Sequence, residues 1–142
     1  MNATAPRSAP WHLWVVAILT LLWNGSGAVT IAMAQMGRRL DMDPHEVAYY
    51  AQQPRWFVFT TDLATLLPIA AGVALLLRNR SAVWLFALSL VTIVANNAYD
   101  VAAGTSLMLV DSGWQAVTLV IVLIALMQVA YAWMTMKRGA LI

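Results

Sequence analysis

Residues 114–136 read WQAVTLVIVLIALMQVAYAWMTM, a stretch without a single Asp, Glu, Lys or Arg. An α-helix needs ~20 predominantly apolar residues to cross a bilayer, so this stretch is predicted to be a spanning helix. Working outward, residues 11–34, 56–77 and 82–108 are similarly long and apolar. Of 142 residues, 62% are hydrophobic and 10% charged, whereas soluble domains carry about 25% charged residues. Four spans and three short loops use up the chain and leave no room for a separate soluble domain. The expected fold is a single all-α membrane domain over 1–142, an antiparallel bundle of four transmembrane helices.

Net charge is +2, and it sits in the loops and tails as juxtamembrane Lys and Arg, which favour an anionic cytoplasmic leaflet. No basic run or aromatic-basic platform exists, which argues against nucleic-acid binding. Cysteine is absent, which excludes disulfides, thiolate metal sites, c-type haem attachment and a cysteine nucleophile. With four spans, Arg7, Arg78, Arg80, Lys137 and Arg138 share one side, while Arg38, Arg39 and Arg55 occupy the other. The positive-inside rule then places both termini in the cytoplasm. Arg7, the apolar run from Trp11 and Ala32-Met33-Ala34 together imitate a cleavable secretory signal. The run is far longer than the ~7–15 residues of a signal core, so an ordinary first span is expected.

The first outer loop is the only one with content. Asp43, Pro44 and Glu46 form a capping-box pattern with proline at the first helical position, and Pro54 stops the helix. A short amphipathic surface helix is predicted over about 44–52, with Val47, Tyr50 and Ala51 on its inward face. Asp41, Asp43, His45 and Glu46 could be imagined as a metal site, but capping and solvated charge explain them better, and no metal centre is expected. Arg78-Asn79-Arg80-Ser81 is a tight turn between the second and third spans, and Asp111 or Ser112 is expected to cap the fourth. Most of the 7 Trp lie near span ends, as interfacial anchors do, and the 8 Met are best read as gap-filling core residues.

Polar groups inside the spans are the functional candidates, because ionisable side chains there are costly and usually face the bundle interior. Asp62 lies in the second span and Asp100 late in the third. Asn96 and Asn97 stand four and three residues before Asp100 and can share its face. Asn24, Thr65 and Thr118 fall at similar depth in the first, second and fourth spans. Pro68 frees a backbone carbonyl near the Thr65 turn, and Gly25 and Gly27 permit close helix approach. Two accounts fit this cluster: an outward-facing polar cavity in which Asp62 or Asp100 takes up a proton or cation, or interhelical hydrogen bonds that fix the bundle. No histidine lies in the interior of a span, His12 standing at the inner boundary and His45 in the loop; no hydrolase, zinc-protease or phosphate-loop motif occurs and no arginine series exists. A non-enzymatic protein without a catalytic residue or cofactor is therefore expected.

Trp11-His12-Leu13-Trp14-Val15-Val16, Leu22-Trp23-Asn24 with Gly27-Ala28, Ala48-Tyr49-Tyr50 before Pro54 and Trp56, Leu75-Leu76-Leu77-Arg78, Ala82 and Ser89-Leu90 form a pattern over most of the chain. In this pattern the chain resembles a family of small four-span proteobacterial inner-membrane proteins often labelled "sugar transporter". The family commonly has Asp-Tyr after the Trp-Asn-Gly element, where this chain has Thr30 and Ile31. The resemblance implies a bacterial inner-membrane location and small-solute transport. Two function classes follow. One is an accessory or structural subunit packed in a larger membrane complex or a homo-oligomer. The other is a small-solute transporter, proton-coupled through Asp62, that points its polar residues into a shared cavity.

Overall fold

The computed structural model describes residues 10–39, 41–105 and 113–142. Arg7, the expected end of the third span at 108 and the cap at Asp111 or Ser112 lie outside the described residues. The described residues form five helices and no strand: α1 Trp11–Gln35, α2 Pro44–Gln52, α3 Arg55–Leu76, α4 Ser81–Ala103 and α5 Trp114–Lys137. All but α2 are long and apolar enough to cross a membrane. Large apolar side chains stand exposed along all four, among them Leu22, Leu66, Val91 and Leu119. A surface of that kind is stable only against an apolar surrounding.

Local chemistry sets the helix ends. The α2 capping box forms in full: the Glu46 amide donates to the Asp43 carboxylate at 2.8 Å and the Asp43 amide donates back to Glu46 Oε2 at 3.3 Å. Helix α3 ends in a Schellman-type turn, the Asn79 amide donating to the Ala74 carbonyl at 2.7 Å. The left-handed position of that turn is filled by Arg78 at φ 57°, where glycine is the usual occupant. Helix α4 ends on Gly104 at φ 72°.

The most extensive packing is α3 on α4, then α1 on α3 and α4 on α5. Small residues make it possible. Ala17, Ala71, Ala74, Ala82 and Ala132 are buried in one cluster with Leu13, Leu75 and Phe86, and the bare face of Gly72 lies against Leu21 and Thr20. Pro68 has no amide hydrogen, so the Ala64 carbonyl loses its partner one turn back. Ser89 of α4 fills the gap, its hydroxyl donating to that carbonyl at 2.9 Å.

The end of the bundle that holds this cluster is closed by the chain itself. Arg78 Nε donates to the Ala140 carbonyl at 2.9 Å, Arg80 Nε donates to the Leu141 carbonyl at 3.3 Å, and the backbones of Arg78, Arg80 and Ile142 exchange two further bonds. There α1 and α5 also meet, His12 Nδ1 lying 2.6 Å from the Tyr131 hydroxyl. Elsewhere α1 and α5 do not pack extensively on each other.

Candidate functional site

At the other end the helices part around a partly open cavity of about 340 Å³. Helix α1 contributes Trp23, Asn24 and Thr30, α2 Tyr49 and Tyr50, α3 Phe57, Thr61 and Thr65, α4 Asn96, Asn97 and Asp100, and α5 Trp114 and Thr118; Gln53 closes the rim after α2. Six polar residues singled out in the sequence, Asn24, Thr65, Asn96, Asn97, Asp100 and Thr118, thus line one space.

Asp62 does not line it. Thr61 and Thr65 are four residues apart and share the inward face, whereas Asp62 stands about 100° around the helix. It is half-buried, its backbone carbonyl accepts from the Thr65 hydroxyl at 2.9 Å, and its carboxyl group has no partner among the described residues.

The α3–α4 seam carries the polar network. Asn96, 8% exposed, accepts from the Thr60 hydroxyl at 2.8 Å and donates to Thr61 Oγ1 at 3.0 Å. One turn on, Asp100 is 7% exposed and both of its carboxyl oxygens accept: Oδ2 from the Tyr49 hydroxyl at 2.8 Å, Oδ1 from the Thr105 hydroxyl at 2.7 Å. Tyr49 is therefore the residue that ties the surface helix to the bundle, and its ring also leans on Tyr50 and Trp114. Burial, and then the hydrogen bond to Asp100, push the Tyr49 hydroxyl far above the ordinary tyrosine range. Burial raises Tyr50 as well, with Arg39 acting against it.

The inward face of α2 differs from the one expected. Tyr49 is 3% exposed while Val47 is 52% exposed, and Ala51 also faces outward. Glu46, Tyr49 and Gln53, spaced by three and four, form the inner face, with Tyr50 beside them. Hydrophobicity favoured Val47 and Ala51, but the capping box and the Asp100 hydrogen bond fix the rotation of the helix. The neighbouring acidic residues are held in local pairs. Arg39 donates to both Asp41 oxygens at 2.9 and 3.1 Å and lies 3.9 Å from Glu46. That hydrogen bond lowers the Asp41 carboxyl and raises the Arg39 guanidinium. Among the described residues no three His, Asp or Glu are grouped to hold a metal ion.

Trp114, read from the sequence as an interfacial anchor, lines the cavity, as do Trp23, Phe57 and Gln53. The signal for Gln53 was present in its spacing from Tyr49 and Glu46; for the aromatic residues there was none. No protein-family model, curated protein or solved structure matches this chain.

Proposed function

We propose that this chain is a multi-pass protein of a bacterial inner membrane, of the small four-span family it resembles, and that it binds and carries a small solute in the cavity. The observation that carries this is the convergence of Asn24, Thr65, Asn96, Asn97, Asp100 and Thr118 on one space. An accessory bundle has no need of such a space, whereas a solute site requires it. In this proposal the four long helices span antiparallel. The pairing of Thr60 with Asn96 and of Ala64 with Ser89, with residue number rising along α3 as it falls along α4, supports that arrangement. The basic turn at Arg78–Arg80 and the Lys137–Arg138 end share one face of the bundle, which supports a cytoplasmic face there and a cavity that opens outward. The protein works without catalytic chemistry. Asp62, off the cavity, serves as the proton carrier that couples to flux.

One observation favours the second class, a subunit of a homo-oligomer or larger complex: the half-buried Asp62 carboxyl finds no partner within its own chain among the described residues, and another chain would supply one. Mass spectrometry of the assembly released in mild detergent, followed by solute flux in proteoliposomes, separates the two. A homo-oligomer with saturable flux that Asp62→Asn abolishes supports the carrier. A stoichiometric larger partner, with no flux in its absence, refutes it.

A further inference from the structure

The charge character of the cavity is lopsided. Several of its donors are engaged by the protein: Asn24 Nδ2 donates to the Thr20 carbonyl at 2.8 Å, Asn97 Nδ2 to the Ile93 carbonyl at 2.8 Å, and Thr65 Oγ1 to the Asp62 carbonyl at 2.9 Å. Asn96 Nδ2 gives a hydrogen to Thr61 Oγ1 in the same way. Acceptors without a donor stand beside them. Gln53 Oε1 is buried with no hydrogen-bond partner, and the side-chain oxygens of Asn24 and Asn97 accept nothing among the described residues. An orphaned buried acceptor at a cavity wall marks where a donor belongs. The Asp100 carboxyl stands in the same wall, no Lys or Arg lines the cavity, and among the described residues no cation pairs with Asp100.

The rest of the wall is apolar and aromatic, with Trp23, Tyr49, Tyr50, Phe57 and Trp114 around the space. Aromatic faces attract cations through the ring quadrupole, most strongly where water is excluded. An ammonium group offers three donors and no acceptor, which complements the Asp100 carboxyl and the unpartnered Gln53 Oε1. We infer that the solute of this cavity is an organic ammonium compound, its charged nitrogen between Asp100 and Gln53 and its apolar body among the aromatic rings. A cavity of about 340 Å³ lies at the small end of ligand sites, so the body is no larger than a substituted ring or a short chain. A polyhydroxylated sugar fits less well, because it carries no positive charge to meet the Asp100 carboxyl.

The inference rests on the cavity being a solute site, and the test separates the two. The full chain in nanodiscs is titrated with phenethylamine, with 2-phenylethanol as the neutral isostere and with glucose. Binding is read by intrinsic tryptophan fluorescence, with empty nanodiscs subtracted. Phenethylamine should bind at least about tenfold tighter than the alcohol. Asp100→Asn should erase that preference, and Trp114→Leu should weaken the amine more than the alcohol. Equal or tighter binding of 2-phenylethanol, or saturable binding of glucose alone, overturns the ammonium assignment and leaves the solute site standing. No saturable binding of any of the three overturns both. The comparison of amine with alcohol on the unaltered protein decides the matter even if Asp100→Asn does not fold.

Discussion

The Ser89 hydroxyl exists in this fold to replace a hydrogen bond that Pro68 removes, and a double-mutant cycle measures it. Ser89 is 2% exposed and donates to the Ala64 carbonyl at 2.9 Å. Ser89→Ala leaves that carbonyl buried and unsatisfied. Such a group costs about 1–3 kcal/mol in protein interiors, while interhelical hydrogen bonds in membranes average ~0.6 and reach ~1.7 kcal/mol. The expected loss is about 1–2 kcal/mol, some 5- to 30-fold in the unfolding equilibrium. Pro68→Ala restores an amide hydrogen at the position that would reach the Ala64 carbonyl along the helix. In that background Ser89→Ala should cost less than about 0.5 kcal/mol, a coupling near 1 kcal/mol. Reversible unfolding in mixed micelles with increasing SDS, followed by far-UV circular dichroism, supplies all four stabilities. If Ser89→Ala costs the same with alanine or proline at 68, the Ala64 carbonyl does not need Ser89 and the account of the freed carbonyl is wrong.

Gly72→Ala and Gly25→Ala should shift stability in opposite directions in the same assay. A Cβ at 72 meets Leu21 Cδ2 at 2.9 Å and Cγ at 3.0 Å, whereas one at 25 meets nothing within 4 Å, so overpacking of about 1–3 kcal/mol opposes a helix-propensity gain of up to about 1 kcal/mol only at 72. Asn96→Leu removes both interhelical bonds to Thr60 and Thr61 and should destabilise by about 1–3 kcal/mol; an unchanged unfolding midpoint would show the seam to be held by packing alone. Tyr49 and Tyr50 have folded-state values raised above the ordinary 10.0, so above pH 10 the unfolded chain loses protons that the folded chain keeps. Their contribution is complete below pH 10 and declines as pH rises beyond it. Tyr49→Phe should flatten that decline, and an equally steep alkaline loss in the variant would contradict it. Asp43→Ala breaks the capping box and should cost about 1 kcal/mol of α2 stability, visible as faster hydrogen exchange at the Glu46 amide and absent if α2 is held only by Tyr49.

What could be seen in the sequence was whatever is local or depends on length. Helices α1, α3 and α5 agree with the expected stretches to within a residue, because apolar length and helix-stopping residues act over a few neighbours, whereas α4 stops at Ala103, before the expected 108, where Gly104 takes the left-handed conformation. The surface helix and its capping box were legible for the same reason: Asp43, Pro44, Glu46 and Pro54 carry their meaning at fixed offsets. The carbonyl freed by Pro68 was legible, but its partner Ser89 lies on another helix.

The rotation of each helix about its axis was decided by tertiary structure alone. Helices apolar on nearly every side have little amphipathic bias with which to announce an inner face, as in α1 and α5, where few residues are buried. The inward faces are chosen by a handful of pair contacts: Asn96 with Thr60 and Thr61, Asp100 with Tyr49, Ser89 with Ala64, Gly72 with Leu21. Those contacts turn Thr61 and Thr65 into the cavity and leave Asp62 off it, and they turn Tyr49 inward in place of Val47. Composition and length determined that the chain has four helices fit to cross a membrane. Which polar atoms meet in one space depended on the packing of one helix against another, since buried groups such as Ser89, Asn96 and Asp100 find partners on a neighbouring element.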